Sequence, residues 1–197
     1  MSSRYSLARD LDEFEQMVER LEDYLLGAAM YLPIGGGFFR GASTPQMTLG
    51  ALLLRRRRLR HLRAKLKRAD GIRLDVALAQ HCRLRQEWTL HYDKKLRQEV
   101  PLRLRVMAGF FRECGENPRE CAGAYPVEAL RRSIIQEIML AMAEFGYDRR
   151  DVTAAIRPAD QALRRILHTG EFIWSPVLEE VYPRTTFWWL YGGPDGA

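Results

Sequence analysis

The chain has 197 residues, of which 47% are hydrophobic and 28% charged, proportions typical of a globular protein that buries a full core. They exclude disorder along the whole chain, and no apolar run approaches the roughly 20 residues that cross a bilayer. The first 26 residues carry seven carboxylates and lack the apolar stretch of a secretory signal. Three cysteines are too few for a disulfide scaffold. We therefore expect a cytoplasmic protein without a transmembrane segment.

The net charge of +6 is distributed unevenly along the chain. Residues 1–47 hold 4 basic and 7 acidic side chains, residues 48–112 hold 18 and 5, and residues 113–197 hold 9 and 13. Two acidic arms therefore flank a basic middle. Arginine supplies 27 of the 31 basic residues, and its planar guanidinium binds carboxylate or phosphate through two parallel hydrogen bonds. A GC-rich genome produces the same arginine excess without any binding function.

The first predicted helix is acidic and covers residues 6–26. Ser6 is a suitable N-cap, and the apolar residues that follow recur at alternating spacings of four and three: Leu7, Leu11, Phe14, Val18, Leu21 and Leu25. Residues 27–44 then form a predicted glycine-rich loop. Glycine-rich backbone before a helix can hold a phosphate, but no Gly-Lys-Ser/Thr signature is present, which favours a compact connection.

Residues 45–114 are predicted to form the basic helices. A second helix starts with Thr44 as N-cap, a break at Asp70-Gly71 separates it from a third helix over residues 72–99, and a fourth covers 102–114. In the second helix, Arg55 falls within the stripe of leucines that faces the core. Because an unpaired charge is costly to bury, Arg55 needs a carboxylate partner. The acidic first helix is the candidate source.

The C-terminal third contains acidic helices and an aromatic tail. A loop is predicted over residues 115–125, and Pro126 suits the first position of a helix that Gly146 ends. Two shorter helices complete the acidic helices of residues 126–170, and residues 172–191 form the aromatic tail. No segment alternates convincingly between apolar and polar residues. The prediction is therefore an all-α fold: one irregular bundle of about six or seven helices in a single domain of residues 1–197.

The basic helices carry the candidate binding surface, which points to an anionic partner. The predicted anion-binding residues are Arg56, Arg57, Arg60, Arg63, Lys67, Arg68, Arg83, Lys94, Lys95 and Arg97. Such a surface binds the phosphate backbone of nucleic acid by counterion release, and nucleic acid is the favoured partner. A membrane surface or an acidic protein fits the same charges. Alternatively, the face is solvated, or it docks the acidic arms of the chain itself.

The aromatic tail suggests a second binding mode. As an interface for another protein or for self-association it would use Trp174, Trp188, Trp189 and Tyr191, since Trp and Tyr are frequent anchors of protein interfaces. We favour the simpler interpretation, in which the tail folds back and closes the bundle. A protein-interaction or scaffold module therefore stands as the alternative to nucleic-acid binding.

Catalytic and metal sites find little support. Arg85 and His91 have the Arg-x₄₋₆-His spacing of the all-helical HEPN ribonucleases, but the many arginines make such spacings frequent by chance. A HEPN-like ribonuclease is therefore only the second alternative. Cys114 and Cys121 lack a second pair at zinc-finger spacing, and His81, on an apolar face, is interpreted as a core histidine. The sequence predicts a non-enzymatic binding protein without metal or cofactor.

Overall fold

The computed structural model describes residues 5–34, 46–116 and 118–194. Of these residues 76% are helical, with two small antiparallel strand pairs, which confirms the mostly α-helical fold. The contacts divide the chain into two compact units, one of residues 6–99 and one from Val100 onwards. A single domain of residues 1–197 stays a prediction.

The unit of residues 6–99 contains short helices, one strand pair and two long basic helices. Its elements are α1 (Leu7–Glu19), α2 (Leu21–Leu26), β1 (Leu32–Pro33), β2 (Gln46–Met47), α3 (Leu49–His61), a 3₁₀ turn (Arg63–Lys65), α4 (Arg68–Glu87) and the beginning of α5 (Thr89–Glu116). Ser6 caps α1 by accepting a hydrogen bond from the backbone N–H of Arg9, as expected. The predicted first helix is interrupted at Arg20, so residues 6–26 form two helices.

Helix α1 packs against α3 and α4 and places its apolar seam in the core of this unit. Strands β1 and β2 pair antiparallel, and Thr48 then caps α3 by accepting from the N–H of Ala51 at 3.1 Å. The predicted start at Thr44 lies outside the described residues, as does most of the predicted glycine-rich loop. His81 is buried and hydrogen-bonded to the hydroxyl of Tyr92 at 2.9 Å, which confirms the interpretation of His81 as a core histidine.

The break between the basic helices lies earlier than the sequence suggests. Residues 62–67 leave the α-helix, and α4 begins at Arg68, so that Gly71 is buried inside its first turns. Asp70 lies in the first turn of α4, where a negative charge interacts favourably with the helix dipole. The predicted third helix is divided at Trp88, and α5 continues through Pro101. A proline removes one backbone hydrogen bond, and the neighbouring turns retain theirs.

The unit from Val100 onwards combines helices with the aromatic tail. Its elements are the remainder of α5, α6 (Pro118–Glu144), α7 (Arg150–Ile166), β3 (His168–Phe172), 3₁₀ helices at Pro176–Val181 and Trp188–Leu190, and β4 (Tyr191–Gly193). Most of the predicted loop over residues 115–125 is helical, because α6 begins at the earlier of two prolines that both suit a first position. The two short helices predicted after Gly146 form one helix, α7, which contains Pro158.

Strands β3 and β4 form an antiparallel ribbon that the sequence did not reveal. Thr169 pairs with Gly192, and the register shifts before Phe172 pairs with Tyr191. Gly192 has a φ of 138°, and a Cβ atom there would lie 1.9 Å from the carbonyl oxygen of His168. Only glycine fits this crossing. Such irregular pairing lacks the alternation by which strands are recognised.

Candidate functional site

The guanidinium of Arg55 is bound by a carboxylate of the first helix, as its position in the leucine stripe predicts. Its Nε donates to Glu13 Oε2 at 2.8 Å, and Nη2 donates to the same oxygen. Nη1 donates to the carbonyl of Ala51 at 3.0 Å. The side chains of Arg55 and Glu13 are only 16% and 11% exposed. Arg55 is therefore part of the architecture that joins α3 to α1.

Two further arginines bind three other carboxylates of α1. Arg58 donates to Asp10 at 3.4 Å, and Arg73 on α4 lies 2.7 Å from Asp12 and also binds Glu15. These carboxylates raise the pKa of Arg73 above its ordinary value. Arg55, Arg58 and Arg73 lie outside the predicted anion-binding set. These ion pairs join the acidic first helix to α3 and α4.

Glu13 shows how two opposing effects on one carboxyl are resolved. Burial acts to raise its pKa, but the charges and hydrogen bonds of Arg55 and Arg9 lower it by more. The pKa of Glu13 therefore lies below its ordinary value, and the carboxylate stays charged at neutral pH.

The predicted anion-binding residues divide by exposure. Those exposed to solvent are Arg60, Arg63, Lys67, Arg68, Arg83 and Lys94, whereas Arg56, Arg57 and Arg97 are half-buried. The exposed cations concentrate where α3 ends and α4 begins. We call this segment the basic turn, defined by Arg60, His61, Arg63, Lys65, Lys67 and Arg68. A projection of these residues onto one continuous helix does not reveal this turn. The exposed His61 and Lys65 lie outside the predicted anion-binding set.

Several of these cations have surface partners. Arg63 donates to Asp75 at 3.2 Å, and both side chains are about half exposed. Arg83 donates to Glu87 at 3.4 Å and Arg97 to Asp93 at 2.9 Å. Exposed pairs of this kind contribute little because water screens them. In the part of the chain that the structure describes, no ion pair reaches Lys67 or Arg68.

Lys95 corrects the prediction that it lies on the binding face. Its side chain is buried, and Nζ donates to the carbonyls of Gly27 and Ala29 at 2.8 and 2.7 Å. The ammonium also lies 4.5 Å from the centroid of the Tyr24 ring. Burial, and secondarily Lys94, lowers the pKa of Lys95. Lys95 holds the chain that follows α2 and is inaccessible to an external anion.

Arg85 and His91 are placed on different helices, on either side of the interruption at Trp88. Arg85 is half-buried on α4, and His91 is exposed on α5, where its ring meets that of Trp88 edge-on at 5.5 Å. Among the described residues, no group of three or more His, Cys, Asp or Glu side chains has the arrangement of a metal site. Cys114 and Cys121 instead form a disulfide between the end of α5 and the start of α6.

The aromatic tail forms much of the core of the second unit. Trp189 is 1% exposed, its indole N–H donates to Ser133 at 2.9 Å, and the guanidinium of Arg132 lies 4.0 Å from its ring centroid. Arg132 is itself held by Asp160 at 2.6 Å. Tyr191 is buried, with its hydroxyl donating to the carbonyl of Tyr182.

The two other predicted interface residues remain partly accessible. Trp188 is half-buried beneath Arg164, whose guanidinium lies 4.0 Å from the ring centroid. Trp174 is also half-buried and packs edge-on against Tyr182 at 5.0 Å. A docked tail thus leaves only part of the predicted aromatic surface to any partner.

An open groove of about 530 Å³ lies between the start of α6 and the β3–β4 ribbon. The polar side chains of its lining include His168, Thr169 and Glu171, which are exposed, and Tyr125, whose hydroxyl donates to the backbone of Trp189. Binding sites for small molecules combine enclosure with polar groups held in fixed directions. The exposed lining does not supply that arrangement.

No helix within the described ranges has the length and apolar character needed to cross a membrane. The chain matches no protein-family model, no curated protein and no solved structure.

Proposed function

We propose that the unit of residues 6–99 binds nucleic acid through the basic turn, without acting as an enzyme. The observation that carries the proposal is the allocation of carboxylates on α1. They bind Arg55, Arg58 and Arg73, whereas Lys67 and Arg68 of the basic turn are exposed and form no ion pair within the described residues. These two cations are therefore available to an external anion.

The distribution of charge between the units also favours the unit of residues 6–99 as the one that binds a polyanion. Residues 6–99 contain 18 basic and 12 acidic side chains, and the other residues contain 13 of each. The whole excess of +6 thus belongs to the unit that carries the basic turn. A concentrated positive field attracts polyanions and accelerates their association at low ionic strength.

The chemistry of the basic turn suits contacts to phosphate. Arg60, Arg63 and Arg68 offer planar donor groups, and Lys65 and Lys67 offer compact positive charges. Each phosphate neutralised releases condensed counterions, which makes the affinity depend on salt. The turn contains no Phe, Tyr or Trp on which unpaired bases could stack. A double-stranded backbone is therefore a better match than a single strand.

The alternatives have weaker physical support. A protein interface on the tail would use Trp174, Trp188, Trp189 and Tyr191, of which Trp189 and Tyr191 are buried in the second unit. A ribonuclease would need Arg85 and His91 to act on one scissile phosphate, and they lie on different helices that are separated at Trp88.

Fluorescence anisotropy with a short labelled DNA duplex tests the proposal. We expect the affinity of the full chain to fall with rising salt, and Arg60→Ala/Lys67→Ala/Arg68→Ala to reduce the slope of log affinity against log salt by about three. The matched control is Arg105→Ala/Arg157→Ala/Arg165→Ala, which removes three exposed arginines of the other unit. Affinity that is independent of salt, or equal losses in both variants, would refute the proposal.

A further inference from the structure

Helix α4 has two apolar faces, and only one of them is buried. Leu74, Ala77, His81 and Leu84 face the interior and are at most 5% exposed. On the opposite side, Ile72 and Val76 are 58% and 64% exposed. A helix at the surface of a globular protein ordinarily presents polar side chains to water. The outward face of α4 departs from this rule over consecutive turns.

The exposed residues form one continuous stripe. At about 100° per residue, Arg68, Ile72, Val76, Ala79 and Arg83 project within an arc of roughly 80°, and all five are exposed. We call this set the outer stripe of α4. Its apolar residues recur at spacings of four and three, the pattern by which one helix packs against another. Ala79 is small and permits the partner backbone to approach closely.

The burial pattern indicates that Ile72 and Val76 do not contribute to the core of the unit. Both are β-branched, which slightly disfavours the helix, and both expose apolar surface to water at a cost of about 25 cal/mol per Å². Covering them would therefore be favourable. An exposed apolar stripe with charged ends is typical of a surface that a partner covers.

We propose that the outer stripe of α4 docks an acidic amphipathic helix of a partner protein. The argument is charge complementarity. Arg68 and Arg83 bracket the apolar residues and lie 15 positions apart, about 22 Å along a helix axis. A partner helix of roughly four to five turns, apolar in the middle and carrying carboxylates at both ends, matches these positions.

A second copy of the chain fits the stripe less well. Parallel packing of two stripes brings Arg68 against Arg68, and antiparallel packing brings Arg68 against Arg83, so like charges meet in both arrangements. A lipid surface also fits less well, because membrane-binding helices insert Trp, Phe or Leu, and the outer stripe contains none of these.

A synthetic helical peptide with leucines at heptad spacing and glutamates at both ends is the probe. We expect it to bind the full-length protein at least tenfold more tightly than the same peptide with lysines at its ends. NMR titration should place the largest shifts on α4. Ile72→Gln/Val76→Gln should abolish binding, and Arg68→Gln/Arg83→Gln should remove the preference for glutamate. Leu90→Gln, which replaces a side chain that is 83% exposed outside the stripe, is the matched control and should bind normally.

The outcomes that overturn the docking proposal are distinct. Two of them are an absence of peptide binding and equal binding by the Ile72→Gln/Val76→Gln variant. The other two are dimerisation of the parent protein in light scattering that the variant no longer shows, and co-sedimentation of the parent protein with phosphatidylserine vesicles that the variant loses. Salt-dependent affinity for DNA is measured on the same variant and should remain within twofold of the parent protein. Failure of the docking surface is thereby distinguished from failure of nucleic-acid binding.

Discussion

Arg55 and Glu13 are joined across 42 residues of sequence by a hydrogen bond of 2.8 Å from Nε to Oε2. The pair connects the most arginine-rich helix to the acidic first helix where both side chains are largely withdrawn from solvent. The arginines from Arg55 onwards accordingly fall into two classes. Arg55 and Arg58 hold the unit together, and Arg60 and the residues after it supply the exposed charge.

Removing the charge of Glu13 should destabilise the unit. In Glu13→Gln the guanidinium of Arg55 loses the carboxylate that it binds directly and keeps only Asp10, 4.0 Å from its Nε, and we expect the free energy of unfolding to fall by about 2 kcal/mol. Urea denaturation followed by circular dichroism measures the change. Glu19→Gln, at an exposed position at the end of α1, is the control and should change stability by less than about 0.5 kcal/mol. Equal stability of both variants would contradict a structural role for the pair.

The stabilisation from Glu13 should also depend on pH. Its pKa is lower in the folded protein than the ordinary value of 4.5, so the unfolded state binds this proton more readily. The contribution is therefore fully present above the unfolded pKa and is lost as the pH falls through the folded pKa. The difference in stability between the parent protein and Glu13→Gln should be constant near neutrality and shrink below about pH 4.5. A difference that does not change with pH would show that charge is not its origin.

The disulfide between Cys114 and Cys121 should stabilise the unit from Val100 onwards. The two cysteines are seven residues apart, and closing so short a loop restricts the unfolded chain by about 2 kcal/mol. We expect Cys114→Ser/Cys121→Ser to lower the free energy of unfolding by that amount. Dithiothreitol should lower the free energy of unfolding of the parent protein equally. Cys82→Ser, which removes the exposed free cysteine, should have no effect. Insensitivity of the parent protein to dithiothreitol would contradict this prediction.

The sequence alone predicted the structure where a local pattern of residues is compatible with only one arrangement. The heptad spacing from Leu7, with Ser6 as cap, predicted α1, and the position of Arg55 among leucines predicted both its burial and the source of its carboxylate. Proline positions were less informative. Pro118 and Pro126 both satisfy the first turn of a helix, and α6 begins at one and continues through the other.

The sequence by itself determined the helical class, the helix that supplies the carboxylate for Arg55 and the concentration of positive charge in the middle of the chain, because each follows from spacing or composition. Only the tertiary structure decided which cations are exposed. Lys95 and Lys94 are adjacent in sequence, yet one is buried against carbonyl groups and the other faces water. The tertiary structure also placed the apolar Ile72 and Val76 at the surface. Burial depends on contacts between residues that are distant in the chain, and local sequence does not contain those contacts.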